Sequence, residues 1–167
     1  MMRWPLMLLG LILALSACAP SSTTSTHQPG SPTGSGVPTY GPVANACTLA
    51  SESEIGGIVK VTVQASASNA QGLATCTYKT ATQDFVQTNI NIEPSVDAAQ
   101  DDFNNQQEGV TLQNVMGIGD AAFFDGNETL TVLQRNAITT VIVHVASIQK
   151  KLPADEQIAR LIVQRLS

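Results

Sequence analysis

Residues 128–146, ETLTVLQRNAITTVIVHVA, are the stretch that decides the fold. The first part alternates, with Leu130 and Val132 on one side of a predicted strand, and Asn136 turns the chain into a second strand over 137–146. The two faces of the second strand differ in side chains: one carries Val141, Val143 and Val145, and the other carries Thr140, Ile142 and His144. The pattern predicts an antiparallel strand pair with one strongly apolar face.

The chain upstream of this pair predicts a helix, three strands and a second helix. Ser51 and Glu54 form a candidate capping box, and the Gly56-Gly57 pair is expected to end that helix after a turn or two. Alternation predicts strands over 59–64, 73–79 and 85–92, with a polar turn over 66–72. The second helix is predicted from Pro94-Ser95 to about Gln107, with an apolar face of Val96, Ala99 and Phe103.

Further strands and a last helix complete the domain. Residues 110–115 are a candidate strand, residues 117–120 a tight corner, and residues 121–124 a short strand. Pro153 begins a final helix with an apolar stripe of Ile158, Leu161, Ile162 and Leu166. Short turns between successive strands favour antiparallel pairing. The expected fold is α+β: a mainly antiparallel sheet of about six strands with helices on one face, in which a helix and three strands occur twice before a C-terminal helix.

Residues 1–17 have the layout of a lipoprotein signal peptide. Arg3 precedes the apolar run Leu6–Leu15 and two small residues, as in a secretory signal, and the run is shorter than the ~20 residues of a membrane span. The segment Leu-Ser-Ala-Cys ending at Cys18 resembles a bacterial lipobox, which implies that Cys18 is lipidated. Several acyl chains would then anchor the protein to the membrane. The alternative is an ordinary signal peptide whose cysteine falls at the cut by chance.

The remaining chain divides into a tether and one domain. Residues 18–44 are uncharged and rich in Ser, Thr, Pro and Gly, which predicts a flexible tether. His27 and Tyr40 lie in it, and we interpret His27 as incidental. Residues 45–167 are expected to form a single α+β domain. The net charge of −5 and the 4% aromatic content argue against a nucleic-acid partner.

The three cysteines have separate roles in this scheme. Once Cys18 carries lipid, Cys47 and Cys76 remain, and outside the cytosol they are expected to form a disulfide. Closing the loop between them corresponds to about 3.5 kcal/mol of unfolded-state entropy. Two cysteines without a nearby histidine fit a zinc site poorly.

A series of short motifs occurs in a recognisable order. After the lipobox and tether come Cys47-Thr48-Leu49, Cys76-Thr77-Tyr78, a Gly-x-Gly-Asp-Ala-Ala-Phe segment at 117–123 and Leu-Thr-Val-Leu at 130–133. This order resembles a family of small lipoproteins of unknown function that are common in actinobacteria. Arg135 stands where the pattern leads us to expect a glycine. The resemblance implies an exported, lipid-anchored α+β domain and implies no activity.

The polar residues of the domain do not predict a catalytic set, a metal site or a cofactor. His144 is its only histidine and is interpreted as a structural or surface residue. Asp120, Asp125, Asn127 and Glu128 offer oxygens for calcium, but their spacing is not that of an EF-hand, and turn chemistry is the preferred interpretation. Gly117-x-Gly119 lacks the third glycine of a dinucleotide loop and is expected to make a sharp turn.

The expected function is therefore that of a lipid-anchored, extracytoplasmic envelope lipoprotein at the cell membrane, with a non-catalytic binding or scaffold domain. Its expected partners are the membrane, through the anchor, and an envelope protein, a wall component or a small apolar ligand. The alternatives are a passive surface module, and an accessory subunit or enzyme of the envelope. An enzyme would use Asp120, Asp125 or His144, and convergence of these three side chains would favour it.

Overall fold

The computed structural model describes residues 37–108 and 111–166, so Cys18 and the predicted signal peptide lie outside the described residues. Within these ranges a short 3-10 turn precedes three helices and seven strands. Their order is the 3-10 turn Ala46–Thr48, α1 Glu52–Val59, β1 Gln64–Ala70, β2 Leu73–Lys79, β3 Phe85–Ile92, α2 Val96–Asn105, β4 Gln113–Asn114, β5 Ala121–Phe124, β6 Thr129–Gln134, β7 Ala137–His144 and α3 Leu152–Arg165. None of the helices in these ranges has the length and hydropathy needed to cross a membrane.

All seven strands form one antiparallel sheet in the order β1-β2-β3-β7-β6-β5-β4. The predicted α+β class and the antiparallel sheet are confirmed, with seven strands where about six were expected. Strand β7 occupies the centre because it pairs with β3 on one side, Val143 opposite Val86, and with β6 on the other, Val141 opposite Leu130. Residues 128–146 thus supply the middle of the sheet.

We had expected all the helices on one face of the sheet, but they lie on both faces. Helices α1 and α3 cover the face that carries the β7 valines, and together these elements form the main core. Helix α2 packs on the second face, where Phe103 contacts Phe123 with ring centroids 5.1 Å apart. The physical reason is that Leu133 and Ile138 break the alternation and place apolar surface on the second face at one end of the β6–β7 hairpin. Burying that surface requires a helix.

Helix α1 continues through the glycine pair that was expected to end it. The Ser51–Glu54 capping box is confirmed, but the helix ends at Val59, where Lys60 adopts a left-handed conformation with φ 60°. The strand predicted over 59–64 is wrong because Ile55 and Val59 are spaced i, i+4 and form the buried face of this helix. Gly56 remains important, since a Cβ there would lie 2.8 Å from the backbone oxygen of Val61.

Strand β1 occupies most of the segment that was predicted as a polar turn. Only Gln71 and Gly72 form the turn, with φ of 53° and 85°, which fits a two-residue hairpin. The strand lies at the edge of the sheet and nearly all of its side chains are exposed, so it has no apolar alternation to reveal it. At the other edge, the candidate strand over 110–115 is limited, within its described residues 111–115, to the two residues of β4.

The predicted disulfide is confirmed, with Cys47 bonded to Cys76 and their Cα atoms 5.0 Å apart. It ties the 3-10 turn to the middle of β2. Beside it, the Tyr78 hydroxyl donates a buried hydrogen bond of 2.7 Å to the carbonyl oxygen of Ala50. These two links hold the chain before α1 against the main core.

The end of the predicted tether also contacts the domain. The side-chain oxygen of Asn136 accepts a hydrogen bond from the Tyr40 backbone at 2.7 Å, and its amide donates to the Tyr40 carbonyl at 3.1 Å. The Arg135 guanidinium lies over the Tyr40 ring, 5.1 Å from its centroid. Tyr40 therefore docks the chain at the β6–β7 turn, whereas the sequence had given it no role.

The Gly-x-Gly-Asp-Ala-Ala-Phe segment is hydrogen-bonded to that same turn, and this contact is here called the Gly119 clasp. Arg135 has φ 54°, a conformation that favours glycine, and its backbone N–H donates to Asp120 Oδ2 at 2.6 Å. The Asp120 N–H in turn donates to the Leu133 carbonyl at 2.8 Å. Gly119 permits this approach, because a Cβ there would lie 2.4 Å from the Leu133 oxygen and 2.6 Å from Val132 Cγ1. The sharp turn predicted at this segment is confirmed.

Replacing Gly119 tests the clasp. We expect Gly119→Ala to lower the free energy of unfolding by about 3 kcal/mol, because it combines a backbone clash with a left-handed φ. Gly72→Ala is the matched control: Gly72 also has positive φ, but nothing lies within 4 Å of its added Cβ, so about 1 kcal/mol is expected. Urea denaturation measures both, and equal losses would contradict the clasp.

Candidate functional site

Three polar side chains and one aromatic side chain meet at the C-terminal end of β7. This group, here called the His144 cluster, comprises Phe85, Glu128, His144 and Lys151. His144 Nδ1 lies 3.0 Å from Glu128 Oε2, and Lys151 Nζ donates to Glu128 Oε1. The Phe85 ring stacks on the His144 imidazole with centroids 5.2 Å apart and an interplanar angle of 20°. The strand register brings this pair together, since Phe85 stands opposite His144 across β3 and β7.

The carboxylates around the cluster are held in their ionised form. Hydrogen bonds from Lys151, and then from His144, lower the pKa of Glu128. Burial opposes ionisation of Asp125, but N–H groups of the following turn outweigh it and lower that pKa as well. Asp125 Oδ1 accepts from the backbone of Asn127, Glu128 and Thr129 at 2.8, 3.0 and 3.0 Å. The preferred interpretation of Asp125 as a turn residue is confirmed.

The structure does not bring together Asp120, Asp125 and His144, the three residues considered for an enzymatic role. Asp120 precedes β5 and binds the Arg135 backbone, whereas Asp125 follows β5 at its opposite end. His144 lies with Glu128, and its side chain is 51% exposed, which agrees with the surface interpretation. Among residues 37–108 and 111–166, no three His, Cys, Asp or Glu side chains are grouped to hold a metal ion.

Asp155 is the residue that the sequence analysis missed. It lies in the first turn of α3 and is fully buried, and neither carboxyl oxygen has a hydrogen-bond partner among the described residues. Burial raises the pKa of Asp155 to about 8, the nearby carboxylates of Asp125 and Glu128 act in the same direction, and Lys151 opposes them. The sequence does indicate this burial, because residues 155, 158, 159 and 162 follow helical spacing. Asp155 thus extends the apolar stripe of α3 by one turn toward the N-terminus of the helix.

The second face of the sheet remains uncovered beyond the reach of α2. This area, here called the open face, is formed by alternate side chains of three neighbouring strands: Thr75, Thr77 and Lys79 of β2, Phe85, Gln87 and Asn89 of β3, and Thr140, Ile142 and His144 of β7. All are half-buried or exposed. The sequence pattern did not reveal the open face, because the strands were predicted from their apolar positions. The open face is formed by the positions that alternate with these apolar residues.

A shallow cavity of about 560 Å³ lies at one end of the open face. Its floor is made by side chains of β2 and β3, including Phe85, and its wall by the loop between these strands; the lining residues are Thr77, Lys79, Thr82, Gln83, Asp84, Phe85 and Gln87. The cavity therefore adjoins the His144 cluster through Phe85. Together they offer hydroxyl and amide groups, an aromatic surface and a hydrogen-bonded His144–Glu128 pair.

Replacing Asp155 tests whether its buried carboxyl is protonated. An acid whose pKa rises from 3.8 in the unfolded chain to about 8 in the folded protein keeps a proton that the unfolded chain has lost. The free energy of unfolding therefore falls as pH rises between these values. Asp155→Asn removes this dependence, so its stability relative to wild type should increase by on the order of 1 kcal/mol per pH unit up to pH 8 and then level off.

Urea denaturation from pH 5 to pH 9 measures this difference. Asp101→Asn is the matched control because Asp101 is exposed on α2. Wild-type and Asp155→Asn stabilities that run parallel over the whole range would show that Asp155 is not held protonated.

Comparison with known proteins does not assign a function to the chain. No family model, no curated protein and no solved structure matches the chain. The relation to small actinobacterial lipoproteins therefore stays a prediction that rests on the motifs quoted from the sequence.

Proposed function

We propose that the protein is a lipid-anchored, extracytoplasmic lipoprotein of the cell envelope whose domain binds another envelope component without catalysing a reaction. The observation that carries the binding role is the unequal covering of the sheet. Helices α1 and α3 bury one face, whereas α2 covers only one end of the other. The uncovered remainder is the open face, with its cavity beside Phe85.

The anchoring role is supported by the chain outside the domain. The segment Leu-Ser-Ala-Cys at 15–18 follows an apolar run of signal-peptide length, and acylation of Cys18 would fix the protein to the membrane. The Cys47–Cys76 disulfide is compatible with an oxidising compartment. Both features favour a location outside the cytoplasm.

The cavity beside Phe85 lies at the opposite end of β7 from Tyr40. Tyr40, the docked end of the tether, contacts Asn136 just before β7 begins. His144 and the neighbouring Phe85 lie where β7 ends. Eight residues of extended strand separate these two ends by roughly 23 Å.

Replacing Cys18 tests the anchoring. We expect Cys18→Ser to leave unprocessed precursor and to abolish incorporation of radiolabelled fatty acid, because the serine hydroxyl is a far weaker nucleophile than a thiolate. The double variant Cys47→Ser, Cys76→Ser is the matched control and should keep its label. Label that persists in Cys18→Ser would overturn the proposed anchor.

A further inference from the structure

We propose that the cavity beside Phe85, with the adjoining open face, is a binding site for an uncharged saccharide chain. This assignment rests on the proposed function, since it names the class of envelope component that the domain would bind. It draws on three observations: the charge of the open face, the fixed positions of its amide groups, and the aromatic surface at its end.

The open face and its cavity carry no net charge. Lys79 is the only Lys, Arg, Glu or Asp among the side chains that define the open face. Asp84, which has the opposite charge, also lines the cavity. A single lysine cannot provide the several cationic contacts with which proteins bind a polyanion. The complementary ligand is therefore neutral.

The polar groups of the open face are held in place by one another. Asn89 Oδ1 accepts hydrogen bonds from Thr75 Oγ1 at 2.9 Å and from Gln87 Nε2 at 3.0 Å. Within the part of the chain that the structure describes, Asn89 Nδ2 and Gln87 Oε1 have no hydrogen-bond partner, so they can bind a ligand as donor and acceptor. A saccharide hydroxyl both donates and accepts, so it matches such a set of amide and hydroxyl groups. Because the amides are already fixed, binding costs less side-chain entropy than at a mobile surface.

An aromatic surface completes the site. Phe85 is half-buried, lines the cavity and stacks on His144, and Ile142 stands beside this pair on the open face. The C–H face of a sugar ring is apolar, and an aromatic ring offers it a flat apolar surface with a negative π face. The volume of about 560 Å³ falls within the ~300–1,000 Å³ range of small-molecule sites. The site thus combines a stacking surface with flanking hydrogen-bonding groups.

Calorimetric titration of the purified full chain in detergent tests the assignment. The probes are neutral oligosaccharides of glucose, galactose, mannose and N-acetylglucosamine. We expect at least one to bind with a Kd of about 1 mM or tighter. Phe85→Ala and Gln87→Ala should weaken that binding at least tenfold. Gln164→Ala, on the exposed side of α3, is the matched control and should bind as wild type does.

Two further measurements keep the test decisive. Gln87→Glu retains the size of the side chain but replaces the amide that donates to Asn89 with a carboxylate, so it should lose binding while the domain still unfolds cooperatively. Titration with an acidic polysaccharide examines the role of charge. Failure of all four neutral probes, binding that survives both Phe85→Ala and Gln87→Ala, or preferred binding of the polyanion that depends on Lys79 would each overturn the assignment. Fatty-acid labelling of Cys18 is measured independently, so failure here would leave the anchor standing.

Discussion

The packing of Val141, Val143 and Val145 between the sheet and the helices is the interaction on which the rest of the structure depends. All three side chains are at most 1% exposed and belong to the main core with α1 and α3. Because β7 is the middle strand, their burial fixes the registers of β3 and β6 as well. A slip of one residue would move this apolar set to the other face. The disulfide and the Gly119 clasp secure the periphery of an arrangement that β7 already determines.

The same constraint creates the candidate site. Side chains alternate along a strand, so burying the β7 valines turns Thr140, Ile142 and His144 toward the second face. The closing helix docks on the valine face and brings Lys151 to Glu128 and Asp155 into the core. Asp155 is a buried carboxyl without a hydrogen-bond partner among residues 37–108 and 111–166, and such a group lowers stability unless it stays neutral. The structure therefore combines one face that is covered by helices, a buried carboxyl near its end and an uncovered polar face on the other side of the sheet.

The sequence predicted the elements that have a one-sided apolar pattern. The bounds of β2, β3 and β5 agree with the structure, as do the capping box and the disulfide. Prediction failed where that pattern was lacking or ambiguous. The exposed edge strand β1 has no apolar face, and the spacing of Ile55 and Val59 is helical although Val59 also begins an alternating run. Asp155 and the open face were missed for a related reason, because their environment depends on which helix covers which face.

The central claim is that one face of the sheet is sealed while the other stays open around Phe85. Hydroxyl-radical footprinting of the full chain, read by mass spectrometry, tests it within one residue type. Phe103 and Phe123 are 3% and 4% exposed beneath α2, whereas Phe85 is half-buried beside the exposed His144. The account predicts that Phe85 and His144 are oxidised several-fold faster than Phe103 and Phe123. Protection of Phe85 equal to that of Phe103 in the purified protein would contradict it.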